Sequence, residues 1–139
     1  MPEPDMETQP GGAGELERWW RDHSELDRLV ACLVDTIDTG SAAAAESALE
    51  ELASALEGHL SVEEDVYFPL VEKLSSDHRE ALRDALRAHD RVRSDLDGLR
   101  SRLREGELTG ARRELIALLN RFRLHEEAEA RLITELAGS

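Results

Sequence analysis

The amino-acid sequence predicts an all-α protein that folds as an antiparallel up-down-up-down four-helix bundle. Apolar residues recur at spacings of three and four through four long segments, and no segment shows the strict alternation typical of a strand. The turns between the segments are short, so successive helices are expected to run antiparallel. The composition agrees, because 40% hydrophobic residues with only 4% aromatic residues favour helices packed by aliphatic layers.

The length of 139 residues suits one compact domain. Residues 1–14 are rich in proline, glycine and acidic side chains, which predicts a disordered N-terminal tail, and the bundle is predicted to occupy residues 15–137. The formal net charge of -14 argues against nucleic acid and membrane surfaces as partners. A single cysteine, no signal-peptide pattern and no apolar run near about 18 residues predict a cytoplasmic protein.

The first predicted helix covers residues 15–38, and its apolar stripe contains a histidine where an apolar residue would be expected. Cys32 falls on the opposite side of this helix and is therefore not expected to bind a metal. Gly40 suits the position just beyond the end of the helix, and Ser41 suits the N-cap of the next one.

The second predicted helix covers residues 42–74, and its inward stripe is expected to include Val66 and Leu70. Pro69 lies within this segment and cannot donate the backbone hydrogen bond of a regular helix. A kink or break is therefore predicted one turn beyond Glu63.

The third and fourth predicted helices cover residues 78–104 and 110–137. The inward stripe of the third helix is expected to include Leu86, and Thr109 is the expected N-cap of the fourth. Each of these helices again carries one histidine within its stripe.

The polar residues of the four stripes are predicted to meet in one layer of the core. Two histidines each precede a glutamate by four residues, which places both side chains on one helix face. At each turn, the ligand positions in the two helices that it joins lie at similar numbers of residues from the turn. The constant helical rise therefore brings all of them to one depth. The candidate metal ligands are His23, His59, Glu63, His89, His125 and Glu129.

This layer predicts a metal site, because burying two glutamates without a cation costs several kcal/mol. Imidazole and carboxylate ligands suit iron, zinc or manganese. Six donors exceed what one tetrahedral zinc needs and match two octahedral ions bridged by Glu63 and Glu129. A ferritin-like site is excluded, because its helices carry Glu-x-x-His and no histidine here follows a glutamate at that spacing.

Several neighbours of the layer have open roles. Tyr67 lies one turn past Glu63 and is either a polar or redox-active neighbour of the site or a core residue. Glu64, Glu126 and Glu127 are predicted to face solvent, with Glu64 as a substitute ligand if the helix rotates near the proline.

The third helix carries a row of arginines at intervals of four residues along one face. Like charges at this spacing repel each other weakly. The row is either a solvated, ion-paired face or a surface for a homodimer or an acidic protein partner. Its members are Arg79, Arg83, Arg87 and Arg91.

The motifs resemble those of the hemerythrin-like (HHE cation-binding) family across nearly all of residues 15–137. The resemblance is carried by His23, by His59-x-x-x-Glu63-Glu64 with Tyr67-Phe68-Pro69 after it, by Ala88-His89-Asp90 and by His125-x-x-x-Glu129. It implies a hemerythrin-like bundle with two iron ions in an oxo- or hydroxo-bridged non-haem centre. Such centres react with dioxygen, hydrogen peroxide or nitric oxide.

Two departures from that family bear on function. The oxygen-carrying members use a fifth histidine four residues from the one on the third helix, and those positions are Ala85 and Arg93 here. They also carry His-x-x-x-x-Asp on the fourth helix, where this chain has His-x-x-x-Glu. The expected function is therefore peroxide or redox handling, with catalase-like or peroxidase-like activity, or sensing. A metal- or redox-dependent regulatory module and reversible oxygen or iron binding are the alternatives.

Overall fold

A computed structural model describes residues 13–74 and 76–137, with side-chain detail for 23–73, 77–132 and 134–135. Every regular element in that part of the chain is helical. The α-helices are α1 Ala13–Asp38, α2 Ala42–Val62, α3 Phe68–Leu74, α4 Arg79–Arg104 and α5 Leu108–Ala137. A π-helical segment, Glu63–Tyr67, joins α2 to α3 into one long rod, and a short 3-10 turn, Ser76–His78, precedes α4.

The helices pack as a four-rod bundle in which each rod lies beside its neighbours in sequence. Helix α1 packs against α2 and α5, and α4 packs against the same two helices. The predicted all-α bundle is confirmed. Residues 1–12 of the predicted tail lie outside the described residues. Within the described ranges, no helix combines the length and the hydropathy needed to cross a bilayer.

The turn between α1 and α2 has the predicted chemistry. Gly40 has a φ of 82°, a left-handed conformation that glycine adopts without a steric penalty, and its N–H donates to the carbonyl of Ile37 at 3.0 Å. The hydroxyl of Ser41 accepts a hydrogen bond from the N–H of Ala44 at 3.2 Å. This N-cap satisfies a donor that the first turn of α2 would otherwise leave unpaired.

The turn between α4 and α5 is shorter than predicted. Gly106 again adopts a positive φ, of 74°, and α5 begins at Leu108. The carbonyl of Glu107 accepts from the N–H of Ala111 at 2.8 Å, so the helix is already formed where it was expected to start. Thr109 therefore lies within the first turn, and its predicted capping role is wrong.

The irregular segment of the second rod begins at Glu63, one turn earlier than the expected kink. The N–H of Phe68 donates to the carbonyl of Glu63, five residues back, which is the hydrogen bond of a π-turn. In a regular helix the ring of Pro69 would clash with the carbonyl of Asp65. The wider π-turn ends directly before the proline and accommodates it.

This π-turn changes which residues of the rod face the core. It adds one residue to the helical repeat, so every later position is displaced by one. Phe68 and Val71 are buried, whereas Val66 is 45% exposed and Leu70 is half-buried. The predicted inward placement of Val66 and Leu70 is therefore wrong by one residue.

The core consists of two apolar clusters separated by a polar layer. On α4, Ala85 is buried and Leu86 is 43% exposed, so the inward placement predicted for Leu86 is also wrong. The larger cluster fills the bundle towards the two glycine turns and includes Leu33, Leu49, Leu99 and Leu118. The smaller cluster lies towards the opposite end and includes Tyr67, Phe68, Val71 and Leu82.

Candidate metal centre

The polar layer between the apolar clusters is built from the six predicted ligands. Within the described side chains, the buried polar or charged residues are His23, His59, Glu63, His89, His125 and Glu129. They come from all four rods, and Glu63 and His89 have no exposed surface at all. The structure therefore brings together every residue that the sequence proposed for the site.

Their side-chain atoms form two overlapping groups of four. One group contains His23 and His59, and the other contains His89 and His125. Both groups include Glu63 and Glu129. One ligand atom from each member lies within 4.8 Å of the others in its group, which is the spacing that a common metal ion requires.

The carboxylate of Glu63 lies between the two groups. Its Oε2 is 3.3 Å from Nε2 of His59, and its Oε1 is 3.1 Å from Nε2 of His89. One oxygen therefore faces a histidine of each group. This is the arrangement expected of a carboxylate that bridges two ions.

On the other side of the layer, Glu129 faces the second pair of histidines. Its Oε2 is 3.0 Å from Nε2 of His125 and 3.4 Å from Nε2 of His89. Among the described residues, Oε1 of Glu129 is buried without a hydrogen-bond partner. Buried polar atoms rarely remain unsatisfied, and a metal ion would supply the missing interaction.

The pKa values show how the layer distributes charge when no metal is bound. Burial alone would raise the pKa of Glu63, but hydrogen bonds from His59 and His89 outweigh it and hold this pKa well below its usual range. Burial raises the pKa of Glu129. Burial would lower the pKa of His89, but its carboxylate partners raise that pKa to about 10. The raised pKa favours a second proton on the imidazole of His89 beside these carboxylates, and a bound metal would displace that proton.

Glu64 contacts the site, although it was predicted to face solvent. Nδ1 of His89 donates to Oε2 of Glu64 at 2.7 Å, which leaves Nε2 of His89 directed at the centre of the layer. Nη1 of Arg93 lies 3.0 Å from the same carboxylate, and Nε of Arg93 donates to Glu57 at 2.9 Å. A carboxylate behind a ligating histidine fixes its orientation and raises its basicity.

Glu126 is also closer to the site than predicted. It is partly buried, and its Oε2 lies 3.4 Å from Nε2 of His23. Burial, with repulsion from Asp27, raises the pKa of Glu126 to about 7. The sequence offers one signal for Glu64 and Glu126, because each directly follows a ligand position at the edge of an inward stripe. Glu127 is exposed, as predicted.

Aromatic side chains enclose the layer. The ring of Phe68 stacks on His89 with 5.2 Å between centroids, and the ring of Phe122 lies 6.3 Å from that of His125. Tyr67 is buried in the smaller apolar cluster beside Phe68. Its role as a polar neighbour of the site stays a prediction.

The remaining predicted residues lie outside the layer. His78 is part of the 3-10 turn and lies 3.8 Å from Glu135, and Cys32 is exposed. The four arginines of the α4 row are exposed, and Arg87 and Arg91 pair with Asp84 and Asp95 of their own helix. The use of this row by a partner stays a prediction.

Comparison with protein-family models gives a match that spans the bundle. The model described as the Hemerythrin HHE cation binding domain matches residues 14–137. Searches of curated proteins and of solved structures gave no significant match. The family match covers all four rods and all six buried donors. The chain therefore belongs to the hemerythrin family of HHE cation-binding domains.

Proposed function

We propose that the six buried donors bind two iron ions, with Glu63 and Glu129 as bridging ligands, and that the pair handles peroxide. His23 and His59 complete one position, and His89 and His125 complete the other. The observation that carries this proposal is the placement of Glu63, whose two oxygens face histidines of different groups. A site for one ion would not need a carboxylate shared in this way.

Iron is the metal that we propose for this donor set. Mixed imidazole and carboxylate ligands suit iron, and two six-coordinate ions need more donors than six side chains provide, so positions remain open for small molecules. A bound iron pair supplies electron transfer to peroxide, dioxygen or nitric oxide. A single structural zinc is less compatible, because four protein ligands already complete its tetrahedron.

The chain's own residues prepare the site for such chemistry. Glu64 holds the imidazole of His89, and Phe68 covers its face, so this ligand has one fixed orientation. The apolar clusters pack against the layer from both ends of the bundle and keep bulk water from those two sides. Ala85 and Arg93 occupy the positions where oxygen carriers have a further histidine, and the missing donor favours peroxide turnover over reversible oxygen carriage.

A catalase-like reaction needs no outside reductant, because one hydrogen peroxide is reduced to water while a second is oxidised to dioxygen.

We assign this activity to the cytoplasm, in keeping with the single cysteine. Nucleic acid and membrane are not proposed as partners. A homodimer or an acidic protein at the α4 arginine row is the proposed contact for a regulatory role.

The first experiment measures metal content and the visible spectrum of protein purified from iron-supplied cells. We expect about two irons per chain, charge-transfer bands that change with added peroxide, and release of dioxygen from peroxide. His125→Ala should lose iron and turnover. His78→Ala is the matched control, since it removes a histidine outside the layer, and it should retain both. One zinc per chain, or a folded protein that binds no metal, would overturn the proposal.

A stable oxygenated spectrum without turnover would replace peroxide handling by oxygen carriage. Partner capture that depends on the metal would instead indicate a regulatory module. Each of these results keeps the metal site and changes only its use.

A further inference from the structure

A groove of about 450 Å³ runs between α4 and α5 and reaches the polar layer from one side. Its inner wall contains His125 and Glu129, whereas neither His23 nor His59 lines it. The groove therefore reaches a histidine of the second group, His125, and the glutamate that both groups share, Glu129.

Small side chains create the space. Ala81, Ala85 and Ala88 line the groove on α4, and Ala128 faces them from α5. Leu124 borders the groove and is 67% exposed. These walls offer apolar contact along the length of the groove. His125 and Glu129 are the residues of the polar layer that line the groove, and Oε1 of Glu129 has no hydrogen-bond partner among the described residues.

The charged residues at the rim compensate one another. Arg91 lies 3.4 Å from Asp95, and Arg121 pairs with the same aspartate at 2.7 Å. Asp84 pairs with Arg87 at 3.3 Å. An anionic or cationic ligand would have to compete with these pairs, so the groove favours a neutral molecule.

The volume is much larger than hydrogen peroxide or a diatomic gas requires. A water molecule, which is close to them in size, takes about 30 Å³ of the liquid. Pockets that hold small organic molecules have about 300–1,000 Å³. The groove falls within that range.

We propose that the α4–α5 groove binds a neutral, apolar organic hydroperoxide. Its hydrocarbon body lies along the alanine wall, and its oxygen atoms point towards His125 and Glu129. The assignment of a hydroperoxide rests on the proposed function, since a redox metal pair is what such a group would meet there. The binding of the apolar body depends on the groove alone and can be measured without metal.

The test uses cumyl alcohol, which has the body of cumene hydroperoxide but no reactive O–O bond. Its binding to the full chain is followed by NMR titration, once with metal-free and once with iron-loaded protein. We expect saturable binding in both, with shifts at the alanine methyls of the groove. Ala128→Trp places an indole in the groove and should weaken binding about tenfold or more. Ala31→Trp, at an exposed alanine of α1 outside the groove, should leave binding unchanged.

Ala81→Trp fills the other end of the groove and serves as a second variant if Ala128→Trp does not fold. No saturable binding to the wild-type protein, or equal binding to both groove variants and the control, would overturn the proposal. A concentration-dependent dimer that excludes cumyl alcohol would overturn it in favour of a second copy covering the groove. Failure to load iron with intact cumyl alcohol binding would refute the metal assignment and the hydroperoxide class while the apolar site stands. Iron loading without cumyl alcohol binding would refute the groove alone.

Discussion

Removal of the Glu64 side chain should weaken metal binding although Glu64 is not itself one of the six donors. Glu64→Ala deletes the acceptor that holds Nδ1 of His89 at 2.7 Å and leaves Arg93 with Glu57 and Asp90 as carboxylate partners. The imidazole of His89 would then be free to rotate or to change tautomer. Its Nε2 would no longer be directed at the layer in every molecule.

The size of the effect follows from the two contacts that are lost. The ion pair with Arg93 is partly solvated and contributes about 0–1 kcal/mol. The hydrogen bond to the fully buried His89 is charge-assisted and contributes about 1.5–3 kcal/mol. Loss of a carboxylate behind a ligating histidine typically lowers metal affinity by about 10–100-fold. We expect a decrease in that range for the ion held by His89 and His125.

Competition with a coloured chelator gives the affinity of each ion, and thermal unfolding with and without iron gives an independent measure. Glu64→Gln keeps a carbonyl oxygen that can accept from Nδ1 and should recover most of the affinity. Asp65→Ala is the matched control, because it removes the same charge from the next, exposed position. Unchanged affinity in Glu64→Ala would refute the reasoning. An equal loss in Asp65→Ala would show that only net charge matters.

Three further predictions concern stability. Metal-free protein should become less stable to urea as the pH rises. The pKa of Glu126 is raised to about 7, so the favourable contribution of this carboxyl to the free energy of unfolding is lost between about pH 4.5 and 7. The pKa of His89 is raised to about 10, so the contribution of this imidazole is lost between about pH 6.5 and 10. A flat or rising profile would contradict this. Gly40→Ala should cost about 1 kcal/mol by chemical denaturation, since φ is 82° there, and an unchanged midpoint would be inconsistent with that strain. Leu99→Ala should cost about 2–5 kcal/mol while iron content stays normal, whereas joint loss of iron would mean that the cluster and the layer are not independent.

The bundle and the polar layer could be predicted because each depends on a regular repeat. Periodicity fixes the face on which His23, His59 and Glu63 lie, and a constant rise per residue fixes their depth. The one-residue displacement after Glu63 could not be predicted in the same way. A π-turn and a proline kink produce the same interruption in a sequence, so Pro69 indicated the place but not the kind of irregularity.

The prediction that Glu64 and Glu126 face solvent was wrong for a different reason. Glu64 directly follows Glu63, and Glu126 directly follows His125. Both lie at the edge of the inward stripe, where a long side chain can point into the core or towards solvent. Which way it turns depends on partners from other helices. For Glu64 the deciding partners are His89 and Arg93 on α4, and their approach depends on the packing of the rods rather than on any local pattern.

The placement of at least one donor on every rod has a consequence for how the protein opens. His23 belongs to α1, His59 to α2, His89 to α4 and His125 to α5. A filled site would act as a single four-way cross-link, so no rod could detach without breaking a ligand bond that the others share. Slow amide hydrogen exchange across all four rods would then converge on one opening rate, and that rate would equal the rate of metal release. Without the ion, each rod would exchange at a rate set by its own apolar contacts.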